Sequence, residues 1–350
     1  MKRTSDLRIT GTRPLISPAL LKRDLPMTEE SNRTVVESRE TIRRVLQKKD
    51  QRLLAVVGPC SIHDPAAALD YARRLSGLRE RLADRIVLVM RTYFEKPRTV
   101  LGWKGLITDP RLNGSYDIEH GLRLARRLLL DVTALGLPCG SEMLDPIIPQ
   151  YIADLLSWAS VGARTSESQK HREMASGLSM AVGFKNATSG ELQPALNALE
   201  SARHPQHFLG IDEEGRTSVM ETAGNDLAHL ILRGGSTGPN YHEETVETAE
   251  RMMAKIAAEP AVIIDCSHGN SGKKPARQQR VVESVIRQKV SGGKAIVGFM
   301  LESNLKEGAQ KIGADPRALV YGQSITDECI GWEETERLLG EAYDRLAPSP

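Results

Sequence analysis

Apolar residues along this chain alternate between two patterns. Short, nearly continuous apolar runs recur at 53–57 (LLAVV), 85–90 (RIVLVM), 138–143 (PCGSEM), 159–163 (ASVGA), 181–185 (AVGFK), 229–233 (HLILR), 261–265 (AVIID) and 295–301 (AIVGFML). Runs of this length predict strands buried on both faces. Between them lie stretches with helical spacing. Leu122, Ala125, Leu128, Leu129, Val132 and Leu135 mark one stripe, closed by Gly136 and Pro138, and Asp64 with Pro65 supplies an N-cap and first turn. Eight such units predict an α/β chain whose parallel strands close into a (β/α)8 TIM barrel. A doubly wound open sheet is the alternative. It is weakened because no GxGxxG follows the first strand, where Gly58-Pro59-Cys60 stands instead.

Two segments interrupt the alternation. Residues 1–45 carry scattered apolar positions, prolines and a late helical pattern, and read as an arm preceding a barrel over 46–350. The stretch 207–222, HFLGIDEEGRTSVMET, reads as an inserted β-hairpin turning at Glu214-Gly215.

Composition narrows the function classes. A chain of 350 residues, 40% hydrophobic, can bury a large core. A net charge of +2 with interspersed signs provides no basic face for nucleic acid. The four cysteines, Cys60, Cys139, Cys266 and Cys329, form no CxxC pair, so neither a disulfide framework nor a zinc ribbon is indicated, and a reducing cytoplasm fits. The start MKRTSDLRIT lacks the apolar core of a signal peptide, and no apolar run approaches the roughly 18 residues of a membrane span. The expectation is a soluble cytoplasmic protein that engages neither membrane nor nucleic acid.

In a barrel, chemistry collects just after the carboxyl ends of the strands. Those positions hold Cys60, Arg91, Glu142, Arg164, Lys185, Arg233, Asp265 with His268, and Glu302. Four are cationic, and a loop of about 25 residues after the second strand adds Lys96, Arg98 and Lys104, a length that in a compact domain points to a binding role. Such convergence suits a substrate with several negative charges, since arginine grips phosphate or carboxylate in a bidentate fork and lysine supplies a point charge or a proton. Cys60, His268, Glu302 and Asp327 would offer sulfur, nitrogen and two oxygens to a divalent cation, but their spacing matches no local metal motif and such residues are also common in ordinary cores. A P-loop reading of SHGNSGKK fails: glycine is needed where Ser267 stands and Ser or Thr where Lys274 stands.

The motifs GPCSIHD, MRTYFEKPRTVLGWKGLITDP, GARTSESQKHREMASGLSMAVGFKN, ILRGG, IDCSHGNSGK and SITDECIGWE resemble those of type I, feedback-regulated 3-deoxy-D-arabino-heptulosonate 7-phosphate (DAHP) synthases of bacteria and fungi, from SDLRI to the closing helix. The resemblance implies a metal-dependent (β/α)8 transferase that condenses phosphoenolpyruvate with D-erythrose 4-phosphate, the first step of the shikimate pathway. It implies one divalent ion per subunit, Mn, Fe, Co or Zn, on Cys60, His268, Glu302 and Asp327. It places phosphoenolpyruvate on Arg91, Lys96, Glu142, Gly162, Ala163, Arg164, Lys185, Arg233 and His268, beside Asp265, and the sugar phosphate on Lys96, Pro97, Arg98 and Thr99. Lys96, His268 and Cys60 are the implied catalytic residues. The arm and hairpin are implied to form a pocket for an aromatic amino acid in a homodimer or homotetramer. Ala187 and Ser189 stand where the family commonly has glycine and aspartate. Two rival readings are a Schiff-base aldolase using Lys185 and an amino-acid-sensing barrel without chemistry.

Overall fold

The strand residues sort by parity. In the computed structural model, which describes residues 2–98, 100–313 and 315–346, Leu53, Ala55 and Val57 pack in one apolar layer and Leu54 and Val56 in another. Ile86, Leu88 and Met90 separate from Val87 and Val89 in the same way. A period of two with both faces apolar produces this split, one set facing the covering helices and the other the barrel axis.

The chain enters through α1 (Pro18–Asp24) and α2 (Glu29–Leu46), then alternates β1 (Leu53–Gly58), α3 (Pro65–Leu82), β2 (Ile86–Arg91), α4 (Ile118–Ala134) and β3 (Cys139–Glu142). There follow α5 (Pro149–Ile152), β4 (Trp158–Val161), α6 (Gln169–Gly177), β5 (Ala181–Lys185) and α7 (Gln193–Ala202). A hairpin of β6 (His207–Ile211) and β7 (Thr217–Glu221) precedes β8 (Ala228–Leu232), α8 (Glu243–Lys255) and β9 (Val262–Asp265). The chain closes with α9 (His268–Ser271), α10 (Gln278–Val290), β10 (Ile296–Glu302) and α11 (Trp332–Arg345). Eight strands form one closed parallel barrel in the order β1-β10-β9-β8-β5-β4-β3-β2, and β6-β7 stands apart as an antiparallel pair. All eight strand expectations and the hairpin find their counterparts, with ends shifted by a residue or so. The closed order excludes the open sheet.

The amino-terminal segment is more than an arm. Helix α2 runs across the expected boundary at 45, and its Ile42, Val45 and Leu46 join Leu54, Val56, Val87 and Ile263 in the axial core. It therefore plugs the amino end of the barrel. Trp158 fills the axis beside His229, its Nε1 donating to His229 Nε2 at 3.1 Å, and Gly183 makes the room: a Cβ there would lie 2.9 Å from that same Nε2.

Candidate active site and metal centre

One further step of two along the axial positions leads from Val89 to Arg91, Gly140 to Glu142, Gly183 to Lys185, Ile231 to Arg233, Ile263 to Asp265 and Met300 to Glu302. All of these are buried at the carboxyl end of the barrel. The core pattern that builds the barrel also aims its charges inward.

The deepest layer is a set of ion pairs. Arg91 Nη2 donates to Glu302 Oε1 at 3.1 Å and its Nε to Pro59 O at 3.2 Å, while the guanidinium lies 4.0 Å over the Tyr93 ring. Its Nη1 is buried with no hydrogen-bond partner among the described residues, a donor available to an anion. Lys185 Nζ donates to Asp265 Oδ2 at 2.9 Å. Burial pulls Lys185 downward, but Asp265, together with Tyr93 and Glu142, outweighs it and holds the ammonium above its ordinary range. For Asp265, burial acts upward, and His268 and Lys185 overcome it to keep the carboxyl well below the carboxylate range. His268 has left-handed backbone (φ 52). Its Nδ1 lies 2.9 Å from Asp265 Oδ2 but off the N–H direction, so the contact is electrostatic rather than an aligned hydrogen bond.

Cys60, Glu302 and Asp327 bring one ligand atom each within 4.8 Å of one another. Cys60 is placed by the Gly58-Pro59 turn after β1, where Gly58 adopts a backbone (φ 149) that L side chains rarely take and a Cβ would also crowd Arg91 O at 3.1 Å. Asp327 arrives on the return from β10: Ile330 N donates to Glu302 O, and Ser61 Oγ meets Thr326 Oγ1 at 2.6 Å. Sulfur plus two carboxylates is a donor set suited to a divalent transition metal. Lys96 Nζ occupies the cationic role beside them, 3.1 Å from Cys60 Sγ. His268 stands next to this group rather than in it, with Nε2 3.8 Å from Glu302 Oε1. Burial pushes the Cys60 thiol up to about 11, helped by Glu302 and opposed by Lys96. Burial also acts upward on Glu302, but His268, Arg91 and Lys96 prevail and hold it at about 2.

Above this layer opens a pocket lined by Lys96, Pro97, Arg98, Glu142, Gly162, Ala163, Arg164, Thr165, Lys185, Thr188, Arg233, His268, Lys273 and Asp327. Cys60, Arg91, Asp265 and Glu302 form its floor, each buried beneath the lining. The described residues between β2 and α4 form no helix or strand; Lys96 N bonds Lys104 O and Arg98 Nε bonds Trp103 O. Lys104 itself is exposed and does not line the pocket. Thr99 lies outside the described residues.

Sequence reasoning missed several residues. Ser267 donates to Glu302 Oε2 at 2.8 Å, and Lys273, Thr165 and Thr188 line the pocket. Ser267 and Lys273 belong to the IDCSHGNSGK motif, so their neighbourhood was a usable signal. Glu95 likewise lies in the MRTYFEKPRTVLGWKGLITDP motif: it is buried one residue before Lys96, accepts from Asp145 N at 3.2 Å, and burial together with Asp145 raises it to about 8.

A family model described as the DAHP synthetase I family matches residues 26–340. The Tyr-sensitive phospho-2-dehydro-3-deoxyheptonate aldolase of Escherichia coli K12 is 48% identical over 342 residues, 98% of this chain and 96% of that protein. The Trp-sensitive enzyme of the same organism is 50% identical over 340 residues, covering 97% of each. The solved phospho-2-dehydro-3-deoxyheptonate aldolase of Francisella tularensis SCHU S4 superposes with a TM-score of 0.94 at 47% identity, over 97% of this chain and 98% of that one. Motifs, barrel and relatives agree across nearly the whole length, and the chain belongs to the DAHP synthetase I family.

Proposed function

We propose that this chain is a cytoplasmic, metal-dependent DAHP synthase. It condenses phosphoenolpyruvate, D-erythrose 4-phosphate and water to DAHP and phosphate, the first step of the shikimate pathway, under feedback inhibition by an aromatic amino acid. The observation that carries this reading is the arrangement of inward-facing cations around one pocket, with the Cys60, Glu302 and Asp327 cluster in its floor. Two phosphates and a carboxylate must share that space, and Arg91, Arg164, Lys185 and Arg233 offset their mutual repulsion. Arg98, with Pro97 and Thr99, receives the sugar phosphate.

Cys60, Glu302 and Asp327, with His268 beside them, would hold a divalent ion drawn from Mn, Fe, Co or Zn. That ion supplies Lewis-acid polarisation of the aldehyde. The chain's own residues do the rest. As C3 of phosphoenolpyruvate forms its bond to the aldehyde carbon, the oxygen gains the electron pair and Lys96 donates a proton to it. Burial would strip Lys96 of that proton, but Cys60, Glu302 and Glu142 outweigh it and keep the ammonium charged. Water, oriented by Glu142, adds at the C2 cation left when the double-bond pair forms the C–C bond, and one of its protons returns to the Lys96 amine. The C2–O bond to phosphate then breaks, with its electron pair and the second proton leaving on phosphate, and C2 becomes the ketone.

The Schiff-base alternative needs a neutral lysine, and Asp265 holds Lys185 protonated. The effector pocket we place between α1, α2, α5 and the hairpin. There Ala19 N bonds Glu213 O, Lys22 Nζ meets Glu213 Oε1 at 2.8 Å, and Tyr151 donates to Ile16 O. A homodimer or homotetramer completes it.

The test is phosphoenolpyruvate consumption with erythrose 4-phosphate before and after chelation and with each metal restored. Activity that disappears on stripping and returns with metal supports the reading; turnover that survives complete metal removal overturns it.

A further inference from the structure

Arg233 is aimed into the substrate pocket with little holding its guanidinium: among the described residues its one hydrogen-bond partner is Gly234 O, at 3.3 Å. A cation left free for substrate must be oriented by its backbone instead, and that backbone is gripped on both sides. Arg233 N donates to Asn186 Oδ1 at 2.8 Å, and Arg233 O accepts from Gly269 N and Asn270 N at 3.0 and 3.3 Å.

Asn186 belongs to a buried set with Asn240 and Asn270. Asn186 Oδ1 also accepts from Asn240 Nδ2 at 3.1 Å, and its Nδ2 donates to Ala187 O and Gly234 O at 2.9 and 3.0 Å. Asn240 Oδ1 accepts from Gly234 N at 2.7 Å, and Asn240 N donates to Asn270 Oδ1 at 2.8 Å. Asn270 Nδ2 then reaches Leu232 O and Asp265 O at 3.1 and 2.9 Å. The chain of bonds thus joins the carboxyl ends of β5, β8 and β9, which carry Lys185, Arg233 and Asp265. Close backbone approach makes it possible: a Cβ on Gly234 (φ 72) would lie 2.5 Å from Asn270 N.

We infer that Asn186, Asn240 and Asn270 are positioning residues that hold Arg233 and Lys185 in register for the phosphoenolpyruvate anion. The inference rests on the proposed reaction, since it names which part of that site the network serves. A displacement of about 1 Å at such a contact costs on the order of 10- to 100-fold.

The experiment compares Asn240→Ala and Asn186→Ala with Asn225→Ala. Asn225 is a matched control, equally buried and donating to Ala175 O, Leu178 O and Met180 O just before β8, away from the pocket. Each variant is assayed for KM of both substrates, kcat and thermal midpoint. The expected result is a KM for phosphoenolpyruvate raised at least about tenfold in the two test variants, with the KM for erythrose 4-phosphate within about twofold of wild type. Asn225→Ala is expected to lower the midpoint while leaving both KM values in place. In an Arg233→Gln background, Asn240→Ala should add little to the phosphoenolpyruvate KM. Equal losses for both substrates would overturn the inference, as would a phosphoenolpyruvate KM unchanged in a folded variant. So would failure of both test variants to fold while Asn225→Ala folds, which would assign the set to stability. A wild type that turns over nothing instead overturns the functional reading itself.

Discussion

Lys96 Nζ donates to Cys60 Sγ at 3.1 Å, so the group positioned to protonate the substrate oxygen also favours the thiolate form in which Cys60 would bind a metal. Without a metal, burial keeps that thiol at about 11, protonated at neutral pH. Binding a cation as thiolate must therefore release a proton. We expect metal affinity to tighten by about tenfold per pH unit between pH 6 and 8 on account of this group. Calorimetry in buffers of different ionisation enthalpy reads the proton directly, and no proton release would remove Cys60 from the ligand set. Cys60→Ala should retain the fold while losing metal and turnover together.

Lys185 meets its counter-charge in Asp265, and both are buried. Lys185→Met should leave Asp265 with His268 as its remaining close charge partner and reduce kcat/KM by about 100-fold or more, whereas Lys185→Arg, which keeps the charge, should lose less. Borohydride with either substrate is expected to leave the mass of the chain unchanged. A covalent adduct on Lys185 would revive the Schiff-base route.

Glu95 is held at about 8 by burial and by Asp145, above its ordinary value of 4.5. The folded state then binds more protons than the unfolded one between these values, so stability is greatest below about pH 4.5 as far as this group is concerned and falls as pH rises through 8. The loss is on the order of 5 kcal/mol. Glu95→Gln removes the titration. Its thermal midpoint should exceed that of wild type increasingly from pH 5 to 8, and parallel pH profiles for the two proteins would contradict the assignment.

The hairpin touches the barrel's amino-terminal helix through Lys22 and Glu213. Replacing 207–222 with a short Gly/Ser connection should leave kcat within about threefold, because no hairpin residue lines the reaction pocket. Inhibition by phenylalanine, tyrosine and tryptophan should all disappear. Retained inhibition by any of them would place the effector elsewhere.

Strand positions, their number and the inserted hairpin were legible in the linear pattern because each depends on local periodicity, and the strand ends, where a barrel collects its chemistry, pointed to Arg91, Lys185 and Glu302. Motifs carried the family and the identity of the site residues. Tertiary structure decided what periodicity cannot encode. It put Asp327 beside Cys60 across 267 residues of chain, set His268 against Asp265 at the edge of the Cys60, Glu302 and Asp327 group, turned α2 into a floor for the barrel, and tied the Arg233-Gly234 backbone to Asn186, Asn240 and Asn270. The physical reason is that strand and helix patterns report which face of an element is buried. Closure of the barrel determines which distant faces meet, and only that meeting sets the distances on which charge pairing and ligation depend.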